Sequence, residues 1–182
     1  MIGLSPRHPG GEQITKEDVD RVLVRAGRNG APAALVDLYF VAARVPDRVL
    51  REVLIGVWTA AEFPERVVSR SIWLHWFDVA NRIAPYPTPA EPIQVYRGAI
   101  SKHARGMSWT TDLERANWFA NRFRDRFECP SNVYEVTAPL DALLVDVDAV
   151  ESRGGRQERE IIVDPRRLPR VQRVREYPRR SR

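Results

Sequence analysis

Pro85-Tyr86-Pro87-Thr88-Pro89-Ala90-Glu91-Pro92-Ile93-Gln94-Val95-Tyr96-Arg97-Gly98 is the stretch on which the fold turns. Its first eight residues hold four prolines. Each proline fixes φ and removes an amide donor, so the segment reads as a stiff connector that neither helix nor sheet can cross. Ahead of it the apolar residues recur at the helical period; behind it they alternate as in strands. That change of period divides the chain into a helical layer, 15–84, a connector, 85–92, and a β-rich core, 93–168. A lead-in, 1–14, and a basic tail, 169–182, complete the organisation.

In the helical half, Thr15-Lys16-Glu17-Asp18 is a cap-like start for a helix carrying Val19, Val22 and Leu23 on one face. Arg28-Asn29-Gly30 is expected to stop it. A second helix runs through Leu35, Leu38, Tyr39 and Ala42 as far as Val45-Pro46. The third presents Val49, Leu50, Val53, Leu54, Val57 and Trp58, and Phe63-Pro64 breaks the pattern. A fourth carries Val67, Val68, Ile72, Trp73, Trp76, Phe77, Ala80 and Ile83. The spacing of Trp58, Trp73 and Trp76 predicts core rather than a stacking surface, and His75 among them reads as a structural histidine.

Past the connector, Ile93–Gly98 reads as a strand, and Ser101–Gly106 as a loop leading to Met107–Asp112. Thr111 and Glu114 suggest a capping box for a helix with Ala116, Phe119, Ala120, Phe123 and Phe127 at helical spacing, ended by Pro130. Strands are expected around Asn132–Thr137 and Leu143–Val147. A Gly/Arg-rich loop then runs into Glu158-Arg159-Glu160 and the apolar run Ile161-Ile162-Val163 before Pro165. The fold class is therefore α+β.

Bulk properties narrow the function. With 43% apolar and 29% charged residues the 182-residue chain belongs to the globular class and can bury a core. The net charge is +5, carried almost wholly by arginine, since Lys16 and Lys102 are the only lysines. Arg166–Arg182 holds much of the excess without apolar periodicity and reads as a solvated terminus. Cys129 stands alone, which excludes an intrachain disulfide and fits a reducing interior. His8, His75 and His103 have no metal-ligand spacing. The first residues lack a signal-peptide core and no segment has the apolar length of a membrane span, so the expected location is cytoplasmic, with delivery to another cell left open.

Three polar points then stand out in chain order: Arg97, Ser108 and Glu160. Arg97 at a strand end suits an anion, because a guanidinium forks a phosphate or carboxylate, and Gly98 beside it lets a ligand approach the backbone. Ser108 and Thr110 offer hydroxyls just ahead of a helix. Glu158 and Glu160, if both lie in extended chain, share a face roughly 6–7 Å apart. Two carboxylates so placed call for a partner or a substrate.

These residues, Tyr96-Arg97-Gly98, Gly106-Met107-Ser108-Trp109-Thr110-Thr111-Asp112 with Trp118-Phe119-Ala120, and Glu158-Arg159-Glu160-Ile161-Ile162-Val163, resemble the Arg-Ser-Glu group of mono-ADP-ribosyltransferases, the cholera-toxin-like and arginine-specific enzymes. The resemblance covers Ile93 to Pro165. It implies a core of two packed small sheets with an inserted helix, and NAD as a substrate, with no metal. Arg97 would hold the NAD phosphates or adjoining ribose, and the Gly98 backbone the nicotinamide carboxamide. Ser108, with Thr110, would shape the nicotinamide side. Glu160 would bind the ribose 2′-hydroxyl and favour nicotinamide release, and Glu158 would engage the acceptor, a protein arginine or a nucleic acid. The sequence departs from the family at Trp109 and Thr110, where Ser-Thr-Ser is usual, and in the Ser152–Gln157 loop where the family reads its target. The expected activity is glycosyl transfer from NAD to an acceptor. A NAD glycohydrolase, or a non-catalytic module of this fold binding nucleic acid or a partner through its basic surface, are the alternatives.

Overall fold

Thr15 opens the helical unit as expected, by a reciprocal cap. Its hydroxyl accepts from the Asp18 amide at 3.3 Å, while the Asp18 carboxylate accepts from the Thr15 amide at 3.2 Å. The computed structural model describes residues 14–42, 45–127, 129–150 and 158–178, with the side chains of 125–127 outside that description. The 1–13 lead-in and the Ser152–Gln157 loop lie outside the described residues. Contacts divide the chain into two compact units, 1–85 and 86–182.

In the first unit α1 (Lys16–Val36) is not stopped at Arg28-Asn29-Gly30; it is broken at Gly27, whose φ of 69° and ψ of 166° leave the helix for one residue. Glycine reaches positive φ without a Cβ penalty, so the chain turns there and re-enters a helix at once. A π-helical turn, Asp37–Val41, follows and buries Tyr39, whose hydroxyl donates to Asp47 at 3.0 Å. Burial, then the Asp47 charge, raise the Tyr39 pKa well above its ordinary value. The helix α2 (Asp47–Ala60) buries Val49, Leu50, Val53, Leu54, Val57 and Trp58. The expected fourth helix is two: a single turn, α3 (Pro64–Val67), opened by proline, and α4 (Arg70–Ile83), with Val68 extended between them. Trp58, Trp73, Trp76 and Phe77 form the core as predicted, with Trp58 and Trp73 edge-to-face at 4.9 Å and Trp73 and Trp76 at 5.2 Å. His75 falls on the outward side of α4, exposed and beside the Phe40 ring at 5.9 Å.

The second unit is built on β1 (Ile93–Ile100), β2 (Ser108–Thr110), β3 (Ser131–Ala138), β4 (Leu143–Asp146), β5 (Glu160–Val163) and β6 (Gln172–Tyr177). All pairings are antiparallel and the order is β4-β5-β2-β1-β3-β6. Instead of two packed small sheets there is one six-stranded sheet. Its middle is narrow, however, because β1 and β2 meet only at Tyr96 and Thr110, whereas β1 and β3 pair along their full length. The stretch read as a solvated tail supplies β6, an exposed edge strand whose pairing to β3 shifts at Val133/Tyr134. Backbone pairing, rather than apolar burial, makes it a strand, so no hydrophobic pattern announces it.

Strand alternation separates the two faces of this sheet. Val95, Ala99, Trp109, Tyr134, Val136, Ile161 and Val163 pack with Ala142, Leu143 and Leu168 on one side. On the other, α5 (Leu113–Phe127) lays Ala116 and Ala120 against Val133, with Tyr96 and Tyr177 at the margin. The helix is capped by Asp112, not Thr111: Asp112 Oδ1 accepts from the amides of Glu114 at 2.9 Å and Arg115 at 3.3 Å. A short helix, α6 (Val147–Val150), follows β4.

Candidate functional site

The sheet register brings Ser108, Thr110 and Glu160 of the predicted site to one face. Thr110 of β2 is the cross-strand partner of both Tyr96 of β1 and Glu160 of β5, and Ser108 is the partner of Ile162. Residues paired across a sheet point to the same face, as do residues two apart on one strand. Ser108, Thr110 and Glu160 therefore share the face on which Tyr96 meets α5, with Ser108 and Glu160 diagonal neighbours at roughly 7–8 Å. Ser108 Oγ makes no hydrogen bond among the described residues, which leaves one hydroxyl on this face for a ligand.

Thr110 is committed elsewhere. Its buried hydroxyl donates to the Glu158 carbonyl at 2.8 Å and accepts from the Asp112 amide at 3.1 Å. Thr111 adds a backbone bond, donating its amide to the Arg159 carbonyl at 3.0 Å. Thr110 and Thr111 thus pin the glutamate segment to the start of α5 by two consecutive carbonyls. Between those glutamates Arg159 has a φ of 48°, in the left-handed region that non-glycine residues seldom enter. The expectation that Glu158 and Glu160 share a face assumed extended chain through Arg159. A left-handed residue there breaks the alternation, so Glu160 belongs to β5 while Glu158 stands ahead of the strand.

Arg97 is one residue from Tyr96 and, by alternation along the regular β1–β3 pairing, belongs to the opposite parity. Its guanidinium does not stand open as a fork. Nε donates to the His103 carbonyl at 3.0 Å, and an Nη donates to the Ser108 carbonyl. The group lies directly against Gly106, where any Cβ would come within 3.0 Å of its Nη, Cζ and Nε atoms. Arg97 thereby bridges β1 to β2 beyond the point where their backbones part. Gly106, read in the sequence only as the end of a loop and the start of the Gly106–Asp112 stretch, is the glycine that makes this bridge possible.

Gly98 also does something the sequence did not suggest. A Cβ there would meet the Ala116 carbonyl, the Ala120 amide and the Phe119 Cβ, all under 3.0 Å. The room left by the missing side chain is occupied by α5. Sequence reasoning attached that room to a ligand because no local pattern tells which neighbour will fill it.

The flank of α5 adds residues that sequence reasoning did not assign. Asn117 accepts from Arg175 at 3.0 Å and from the Tyr177 hydroxyl at 2.9 Å, so that flank faces β6. Away from that flank the helix bears Arg115, Phe119 and Arg122, with both guanidiniums at the Trp118 ring and Phe119 against Gly98 of β1. The signal was present in the sequence as an i, i+4, i+7 stripe. Around the site, Arg105 ties the loop before β2 to the turn after β5, donating to the carbonyls of Pro165 at 2.7 Å, Leu168 at 2.6 Å and Pro169 at 2.8 Å. Among the described residues no group of three His, Cys, Asp or Glu side chains gathers as a metal site, and no helix is long and apolar enough to cross a membrane.

No protein-family model, curated protein or solved structure matches this chain.

Proposed function

We propose that the protein is a mono-ADP-ribosyltransferase that moves ADP-ribose from NAD to an acceptor and releases nicotinamide. The observation that carries this reading is the register in which Glu160 sits beside Thr110 and diagonal to Ser108 on one sheet face, with Tyr96-Arg97-Gly98 on the next strand. In this reading the bond between ribose C1′ and the nicotinamide nitrogen breaks and its electron pair leaves with nicotinamide. Positive charge then develops on the ribose. A carboxylate held on a strand is suited to that charge, because preorganised electrostatics needs no rearrangement as the charge appears. Glu160 takes this role and the ribose 2′-hydroxyl. Ser108 faces the nicotinamide side with its available hydroxyl.

Thr110 supports the site indirectly, by fixing the Glu158 carbonyl. Arg97 holds β2 against β1 and places a fixed positive charge behind Ser108, on which the NAD phosphates would draw. Glu158, set off from the strand, engages the acceptor. An arginine acceptor, protonated at neutral pH, gains most from such a carboxylate.

Incubation with NAD labelled in its adenylate half, together with a cell lysate, tests the reading. Glu160→Gln, which keeps the side-chain volume, is expected to cut both label transfer and nicotinamide release by on the order of 100-fold or more. Equal behaviour of wild type and variant rejects it. Free ADP-ribose without labelled macromolecule identifies a glycohydrolase instead.

A further inference from the structure

Glycine is the ordinary occupant of a left-handed backbone position, because any Cβ is crowded there. Arg159 is the one non-glycine residue with a positive φ among the described residues, at 48°. Such a conformation persists only where the surroundings over-determine it. Here they do so on both sides of the residue. The carbonyl before it, that of Glu158, accepts from Thr110 Oγ1 at 2.8 Å, and its own carbonyl accepts from the Thr111 amide at 3.0 Å. Both holders are fixed in turn. Thr110 Oγ1 accepts from the Asp112 amide at 3.1 Å, Asp112 Oδ1 caps α5, and α5 crosses β1 at Gly98 with backbone atoms against it. The backbone at Glu158 and Arg159 is therefore set relative to β5, and with it the direction in which the Glu158 side chain leaves the chain.

We infer that Arg159 is a positioning residue: its left-handed backbone aims Glu158 and so sets how much of the cleaved NAD goes to an acceptor rather than to water. This rests on the transferase reading, in which Glu160 serves nicotinamide release and Glu158 the acceptor. In transfer, the acceptor guanidinium gives a proton to Glu158 and its nitrogen forms the new bond to ribose C1′, while the electron pair of the broken bond leaves with nicotinamide. In hydrolysis a water oxygen forms that bond and its proton passes to solvent. Only the first outcome needs Glu158 at a defined place relative to C1′. Extended chain at 159 would return Glu158 to the face of Glu160, roughly 6–7 Å along the strand. The left-handed residue holds it off that face.

The test compares the full chain with its Arg159→Asn, Arg159→Ala and Arg159→Val variants, using adenylate-labelled NAD and polyarginine as the acceptor. The readout is the ratio of label transferred to nicotinamide released. Asparagine accepts left-handed backbone readily, alanine keeps a Cβ while removing the guanidinium, and the branched Cβ of valine resists. The ratio is expected to hold in the Asn and Ala variants and to fall on the order of fivefold in the Val variant, with nicotinamide release retained in all three. Urea midpoints read the same strain without activity, the Asn variant at or above wild type and the Val variant below it. Arg159 is exposed, so the fold survives these changes, which circular dichroism verifies. An equal ratio in all four proteins, a ratio that falls as far with alanine or asparagine as with valine, or nicotinamide release by the wild type without transfer to polyarginine overturns the inference while Glu160-dependent release still stands. A wild type that releases no nicotinamide overturns the transferase reading itself, and this inference with it.

Discussion

Gly98 has no side chain because α5 crosses β1 there with backbone atoms in the way. An added methyl group meets a carbonyl oxygen and an amide nitrogen, neither of which can swing aside as a side-chain tip would. Gly98→Ala is therefore expected to cost about 1–3 kcal/mol or more, as overpacking does, and urea titration measures it. Asp164 is the other residue with a defined energetic signature. The residue is 3% exposed, and it accepts from the Arg166 amide at 3.0 Å and from the Arg166 guanidinium at 2.7–3.1 Å, with Arg167 nearby. Burial alone would raise its pKa, but the bonds and charge of Arg166, helped by Arg167, outweigh it and hold the carboxyl below its ordinary 3.8. A carboxyl depressed in the folded state binds fewer protons there than in the unfolded chain. Its stabilisation is complete above about pH 4 and is lost as pH falls through the folded value. Asp164→Asn is expected to cost about 1–2 kcal/mol at neutral pH, with the gap to wild type closing below pH 4 in thermal melts.

At the scale of elements, α5 depends on a cap displaced by one residue from the sequence reading. Thr111 was the expected cap, but its amide is spent on the Arg159 carbonyl and Asp112 takes the position. Asp112→Ala is expected to lower stability by about 1 kcal/mol, and Thr111→Ala by clearly less, in parallel chemical melts. The cap couples to the site, since the Asp112 amide also binds Thr110 Oγ1, the hydroxyl that holds Glu158. Two further elements departed from their local patterns for identifiable reasons. The first helix continues past its expected stop because Gly27 absorbs the turn in one residue. The expected fourth helix starts late because Pro64 begins a turn that Val68 leaves for extended chain. Apolar period finds the buried faces of α2 and α4 reliably, since burial drives both pattern and packing. Caps and strand ends depend on single hydrogen bonds that several neighbouring residues can make.

At the scale of the molecule, residues 86–182 contain the whole six-stranded sheet, α5 and the cores on both faces of the sheet. Domains of this kind carry their own core. Expressed alone, this fragment is expected to give a cooperative thermal transition with a strand-rich circular dichroism spectrum; a gradual, featureless melt would contradict it. The sequence by itself determined the α+β class, the change of architecture at the proline connector, the tryptophan core and the candidate strands bearing Arg97 and Glu160, with Ser108 between them in chain order. These are read locally, from period, from proline stereochemistry and from residue type. That Ser108 lies on a strand came from the structure. The tertiary structure decided how the strands join into one sheet, that Gly98 yields its space to α5, that Gly106 seats Arg97, and that Arg159 takes Glu158 off the strand. Each of these turns on a close approach between segments distant in sequence, or on one backbone angle imposed by such an approach. A residue's own neighbours in the chain carry no record of either.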